Sequence, residues 1–239
     1  MNLKCSDSWC VDGKSYRLAD FIRYNVKTAL LFPGSIAHDY VLHSGEPIRE
    51  DLLISWKDDE WDHTAGETWK ESKINWHVLN QIISSRLSVI DDIGCVLSLR
   101  IGDIIFQEMK KRRNYVDFFR NHEMLKKHNN VTIVCGIHAG RDGYNIEQSK
   151  KYINREVNRF SRAGIQCDVR SSDPDTDFLT LVKASCLVPD SRGFGLLAGC
   201  LNNNTVIWDL IDFDNTWWLN TDHARKEEFL KKINHSKKC

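Results

Sequence analysis

The chain has 239 residues, enough to bury a sizeable apolar core without disulfide staples. Lys plus Arg balances Asp plus Glu at 33 each, which excludes a global electrostatic pull towards nucleic acid or an anionic membrane and makes any anion site local. No stretch approaches the roughly 18 consecutive apolar residues of a membrane span, and Met1-Asn-Leu-Lys-Cys5 lacks the charged-then-apolar order of a signal peptide, so we expect no integral membrane segment and a cytoplasmic location.

In chain order, residues 16–32 carry apolar and basic residues at helical spacing, and Pro33-Gly34 breaks that pattern into a turn. Residues 56–76 are acidic and aromatic, with Trp56, Trp61, Trp69 and Trp76 among Asp, Glu and Lys. They read as a surface pinned by half-buried indoles or as a sugar-stacking acceptor surface. Residues 75–87 repeat Trp76, Leu79, Ile82 and Ile83 at helical spacing. Residues 1–93 are therefore expected to form a small N-terminal α/β lobe.

From Gly94 the pattern becomes one of alternating elements. Cys95-Val-Leu-Ser-Leu99 reads as a buried strand, residues 115–127 as a helix and Val131-Thr-Ile-Val-Cys135 as a second strand. Residues 149–163 form an amphipathic helix with Tyr152, Ile153, Val157 and Phe160 on one side, ended by Gly164. Strands at 165–169, 186–188 and 205–208 then alternate with short helices at 177–184 and 195–201. Phe178, Leu181 and Phe194 fall on their apolar sides and are expected in the core. A charged tail over 226–239 reads as a solvated helix with a frayed end.

Such alternation implies a mainly parallel, Rossmann-like sheet flanked by helices over residues 94–239. Ligands in such sheets bind beyond the carboxyl ends of the strands, which singles out residues 100–103, 136–142, 171–177 and 191–195. Arg100 offers a guanidinium fork for phosphate, Gly102 permits close backbone approach, and Asp103 can brace the loop. Ser191, Arg192, Gly193 and Phe194 form a strand-to-helix turn whose amides and cation suit an anion. Read without a ligand, Asp175 or Asp177 would cap the helix that follows them, and Arg192 would be an exposed side chain on an ordinary turn.

Leu99-Arg-Ile-Gly-Asp103 at a strand end resembles the His-x-Arg-x-Gly-Asp motif of the fucosyltransferase superfamily, with Ser98 or Leu99 in place of the His, depending on alignment. Ser172-Asp-Pro-Asp-Thr-Asp-Phe-Leu179 resembles the acidic stretch that meets the donor nucleoside in those enzymes. Val188-Pro-Asp-Ser-Arg-Gly-Phe-Gly195 resembles their late phosphate-binding turn. The resemblance covers residues 94–208 and lacks the N-terminal Gly-rich turn. It implies a reduced GT-B-like glycosyltransferase that uses a nucleoside diphosphate sugar, GDP-fucose by preference, on a glycan or other acceptor. Arg100 and Asp103 would be catalytic, with Arg100, Ser191, Arg192, Gly193 and Phe194 on the donor phosphates and His138, Asp175 and Asp177 towards the nucleoside.

Two other readings compete. Cys135-Gly-Ile-His-Ala-Gly-Arg141 spells Cys-x5-Arg, the loop of cysteine-dependent phosphatases, in which a thiolate attacks phosphorus. Val134 before the Cys and Asp142 after the Arg depart from that pattern, and a carboxylate there would raise the thiol pKa. Alternatively, the chain is a non-catalytic nucleotide-sugar-binding module. The eight cysteines form no Cys-x-x-Cys pair, so free thiols, no metal and no cofactor are expected.

Overall fold

The alternation that begins at residue 94 becomes a five-stranded, wholly parallel sheet in the computed structural model. The structure describes residues 3, 8–11, 14–49, 74–91, 93–102, 104–111, 113–138, 143–190, 192–211, 227, 230, 231 and 233. The strands are β3 (Cys95–Gly102), β4 (Asn130–His138), β5 (Gln166–Arg170), β6 (Cys186–Val188) and β7 (Thr205–Val206), in the order β5-β4-β3-β6-β7. The chain builds outwards from β3 to β5 and then returns to β3's other side. The strand order therefore reverses between β3 and β6, the place where open α/β sheets bind ligands.

Successive side chains of a strand point to opposite faces, and the two cores follow that period. Leu97, Leu99 and Ile101 of β3 join Ile133 and Cys135 of β4 under α4 (Ile105–Lys111), α5 (Tyr115–Asn121) and α6 (Gly143–Arg162). The alternate residues Val96 and Val134 join Leu187 on the other face, under α7 (Pro174–Lys183) and α8 (Gly193–Leu201). Tyr152, Ile153 and Phe160 of α6 are buried and Val157 packs beside them, as the spacing predicts. Phe178, Leu181 and Phe194 are also buried.

The N-terminal part differs most from expectation. Residues 16–32 do not form one helix: they start within β2 (Lys14–Arg17), which pairs antiparallel with β1 (Ser8–Val11), and continue into α1 (Leu18–Tyr24). Asn25 stops α1 in the left-handed conformation at φ 50°, and its buried amide donates to the carbonyls of Glu46 (2.7 Å) and Pro47 (3.1 Å). A 3-10 turn (Lys27–Leu31) follows, then α2 (Ile36–His43), capped by Ser35 Oγ on the His38 amide at 3.0 Å. With α3 (Trp76–Arg86), α1 and α2 lie on the face of α7 and α8 and share one continuous core with them. Residues 56–73 lie outside the described residues, as does most of the C-terminal tail.

Among the described residues, no helix is long and apolar enough to cross a membrane.

Candidate functional site at the switch between β3 and β6

The pairing of β3 with β6 runs from Cys95↔Cys186 to Leu97↔Val188, where β6 ends. β3 continues to Gly102 alongside β4, with Gly136 opposite Arg100. Beyond Val188 the chain instead turns through Pro189 and Asp190 into α8, opening a crevice against the second half of β3. Arg100 thus lies inside the strand rather than after it, as the short strand expectation had it. A small, partly open cleft of about 10 Å³ results, lined among others by Ser98, Arg100, Gly136, Asp190 and Phe194. That is room for about one water molecule, so a phosphate group would enter only as the side chains lining the cleft move apart.

Local backbone requirements explain the Ile-Gly-Asp sequence. Gly102 sits at φ 88°, a conformation that L side chains rarely adopt, and its amide donates to Ser149 Oγ of α6 at 3.0 Å. The positive φ, rather than close approach to a ligand, is what demands glycine here. Asp103, the expected catalytic partner, lies outside the described residues, as does Ser191. The backbone of His138 closes β4 opposite Gly102, while its side chain lies outside the described residues, along with Arg141 and Asp142.

Asp190 is the organising group. Its Oδ1 accepts the Arg192 amide at 2.8 Å and its Oδ2 the Ser98 hydroxyl at 3.4 Å, while the Arg100 guanidinium attracts its charge. Burial outweighs those favourable partners and pushes its carboxyl up to about 6. A Cβ on Gly195 would come within 2.7 Å of Asp190 Oδ1 and 3.0 Å of its backbone N, so only glycine lets the carboxylate sit under the first turn of α8.

Cations and amides meet at the start of α8, while the Glu108 carboxylate of α4 opposes the charge of Asp190. The Leu196 amide pairs with the Arg192 carbonyl at 2.9 Å, so the amides of Gly193, Phe194 and Gly195 precede the helical ladder. Arg192 turns its guanidinium to Gln107 Oε1 of α4 at 2.9 Å. Arg23 of α1, which also bonds the Tyr24 hydroxyl, brings Nη1 to 3.6 Å from where a Cβ on Gly193 would stand. Phe194 is core rather than ligand-facing: its ring meets Phe178 edge-on at 5.3 Å, so its amide is what it can offer a ligand.

The acidic stretch also makes contacts within the fold. Asp173, not Asp175 or Asp177, caps α7, accepting from the Thr176 amide at 2.9 Å. Asp177 is fully buried and accepts from the Ser172 amide at 2.9 Å, holding the turn between β5 and α7. Asp175 reaches the Ile36 amide at 2.9 Å and Arg86 at 3.3 Å, and Arg86 also pairs with Asp39. It ties α7 to α2 and α3, and burial raises its carboxyl to about 6. One oxygen of each carboxylate thereby serves the fold, a structural role beside the expected nucleoside contact.

Cys135 lies within β4, buried among the residues of the opposite face, and burial pushes its thiol well above the ordinary range. A phosphatase nucleophile needs an exposed loop thiolate, whereas this thiol lies within a strand and its burial disfavours ionisation. Asp190, Ser98 and Arg23 were not anticipated. For Asp190 a signal existed, since Pro-Asp directly follows an apolar strand and stands three residues before a Gly-Phe-Gly helix start. Arg23 had none, because nothing local ties residue 23 to residue 193. No protein family, no curated protein and no solved structure matches this chain.

Proposed function

We propose that the cleft between β3 and β6 receives the pyrophosphate of a nucleoside diphosphate sugar, and that the chain is a fucosyltransferase-like glycosyltransferase. The observation that supports this most is the convergence of Arg100 with the start of α8 on the two strands that flank the sheet's reversal. A guanidinium and helix-start amides together favour a doubly charged, oxygen-rich ligand. Asp190 holds this arrangement in register, and its raised pKa lets it give up its charge when a second anion arrives.

In the reaction, an acceptor hydroxyl attacks the anomeric carbon while the bond from that carbon to the diphosphate oxygen breaks, and the hydroxyl proton passes to the departing diphosphate or to water. Arg100 and the amides of α8 stabilise the charge that builds on the departing diphosphate. The resemblance of Leu99-Arg-Ile-Gly-Asp103 favours GDP-fucose as donor and a glycan or glycoconjugate as acceptor. In a reduced GT-B arrangement, the layer of α1, α2 and α3 would be the acceptor side.

Titration calorimetry with GDP, UDP and their sugars tests this reading. Arg100→Ala is expected to weaken binding by about 2 kcal/mol, roughly thirtyfold, the scale of a lost charge-assisted pair. Absence of binding to the unaltered chain, or equal binding by the variant, refutes the proposal. Binding without sugar transfer to any acceptor in a broad panel would assign a non-catalytic binding module instead.

A further inference from the structure

At the opposite end of the sheet, three side chains from distant parts of the chain meet. Cys95 and Cys186 open β3 and β6 and are register partners, while His128 lies between α5 and β4. Their two sulfurs and an imidazole nitrogen all lie within 4.8 Å of one another. Both cysteines are almost wholly buried and His128 is half-buried. His128 Nε2 is itself buried and has no hydrogen-bond partner among the described residues. A buried polar nitrogen without a partner costs about 1–3 kcal/mol, so something is expected to engage it.

The donor set is that of a thiophilic metal: two sulfurs and one imidazole, with no carboxylate. Bond lengths of about 2.3 Å to sulfur and 2.0 Å to nitrogen place tetrahedral ligand atoms about 3.5–3.8 Å apart, so the three groups need close by only about 1 Å. We infer that Cys95, His128 and Cys186 form a structural site for one zinc ion, leaving a fourth coordination position to water or another ligand. The two thiols already share a hydrogen bond, which holds their sulfurs side by side. Zinc binding releases both thiol protons to solvent and meets two thiolates and a neutral imidazole, giving a neutral centre. The ion would pin the first residues of the two central strands to the segment that feeds β4.

This site is independent of the nucleotide proposal: Cys95 and Arg100 are separated along β3 by about 17 Å at strand rise, so either reading can fail alone. The test uses the full chain, stripped with a chelator and titrated with Zn²⁺ against a chromophoric competitor, then with Co²⁺. One tight equivalent is expected, with a thiolate-to-cobalt charge-transfer band and the intense visible bands of a tetrahedral centre. A background with Cys5, Cys10, Cys167, Cys200 and Cys239 changed to Ser should behave identically. His128→Gln should weaken zinc binding by at least about tenfold and Cys186→Ser by more. Circular dichroism of the metal-free variants checks folding, and His128→Gln, on a half-exposed loop position, keeps the test valid if Cys186→Ser does not fold. The inference is overturned by sub-stoichiometric binding to the folded chain, by a cobalt spectrum without the thiolate band, by binding that follows the other cysteines, or by a Cys95–Cys186 disulfide in the purified protein.

Discussion

Asp190→Asn isolates a carboxylate whose ionisation opposes the fold. Its carboxyl rises from an ordinary 3.8 to about 6 because burial outweighs the Arg192 amide and the Arg100 guanidinium. The folded state therefore holds this proton more tightly than the unfolded chain does. Its contribution to stability is full below about pH 3.8 and is lost as the pH rises through about 6. At about 1.4 kcal/mol per tenfold change in proton affinity, the loss amounts to at most about 3 kcal/mol by pH 7.5. Asn keeps an oxygen for the Arg192 amide and removes the charge, at the expense of the attraction to Arg100. Denaturant titrations from pH 4.5 to 7.5 should show the unaltered chain losing ground relative to the variant, which becomes the more stable of the two near neutrality. Asp175 titrates over the same range, and His128, whose imidazole pKa is lowered by burial, acts in the opposite direction. Both are common to the two proteins and cancel in the difference. Parallel stability profiles, or a variant less stable at pH 7.5, would refute the argument that burial dominates at Asp190.

Other substitutions probe the same frame. Gly195→Ala should destabilise the chain by about 1–3 kcal/mol in thermal or denaturant unfolding, because the new methyl meets the Asp190 backbone at 3.0 Å and not only its side chain. Phe178→Ala should cost about 3–5 kcal/mol, since the ring is fully buried and packs edge-on against Phe194. Cys135 should resist iodoacetamide in the native protein and react only on unfolding, as peptide mapping would reveal. Rapid native alkylation there would restore the phosphatase reading.

The centre of the sheet was legible because β3, β4 and β6 carry apolar runs buried on both faces, and such runs carry their own signal. Arg100 and the turn at residues 191–194 were singled out because the ligand edge follows from parallel pairing, although β3 runs three residues beyond its expected end at Leu99. What failed depended on partners far away in the chain. The helix expected over residues 16–32 looked continuous by periodicity, but Asn25 finds carbonyls at residues 46 and 47 that hold it left-handed. The acceptor duties of Asp175 to Ile36 and Arg86 leave no trace at short range, whereas the bond from the Ser172 amide to Asp177 spans only five residues. The meeting of Cys95, His128 and Cys186 was invisible for the same reason, since no short spacing relates them.

The continuous core beneath α1, α2, α3, α7 and α8 bears on how this protein can be dissected. A fragment starting at Gly94 would keep every strand of the large sheet, yet Phe178, Leu196 and Leu197 would lose the helices that shield their face from water. Such a fragment should be sticky and poorly soluble, and the leading segment supplied as a separate piece should rescue it by complementation rather than act as a detachable accessory.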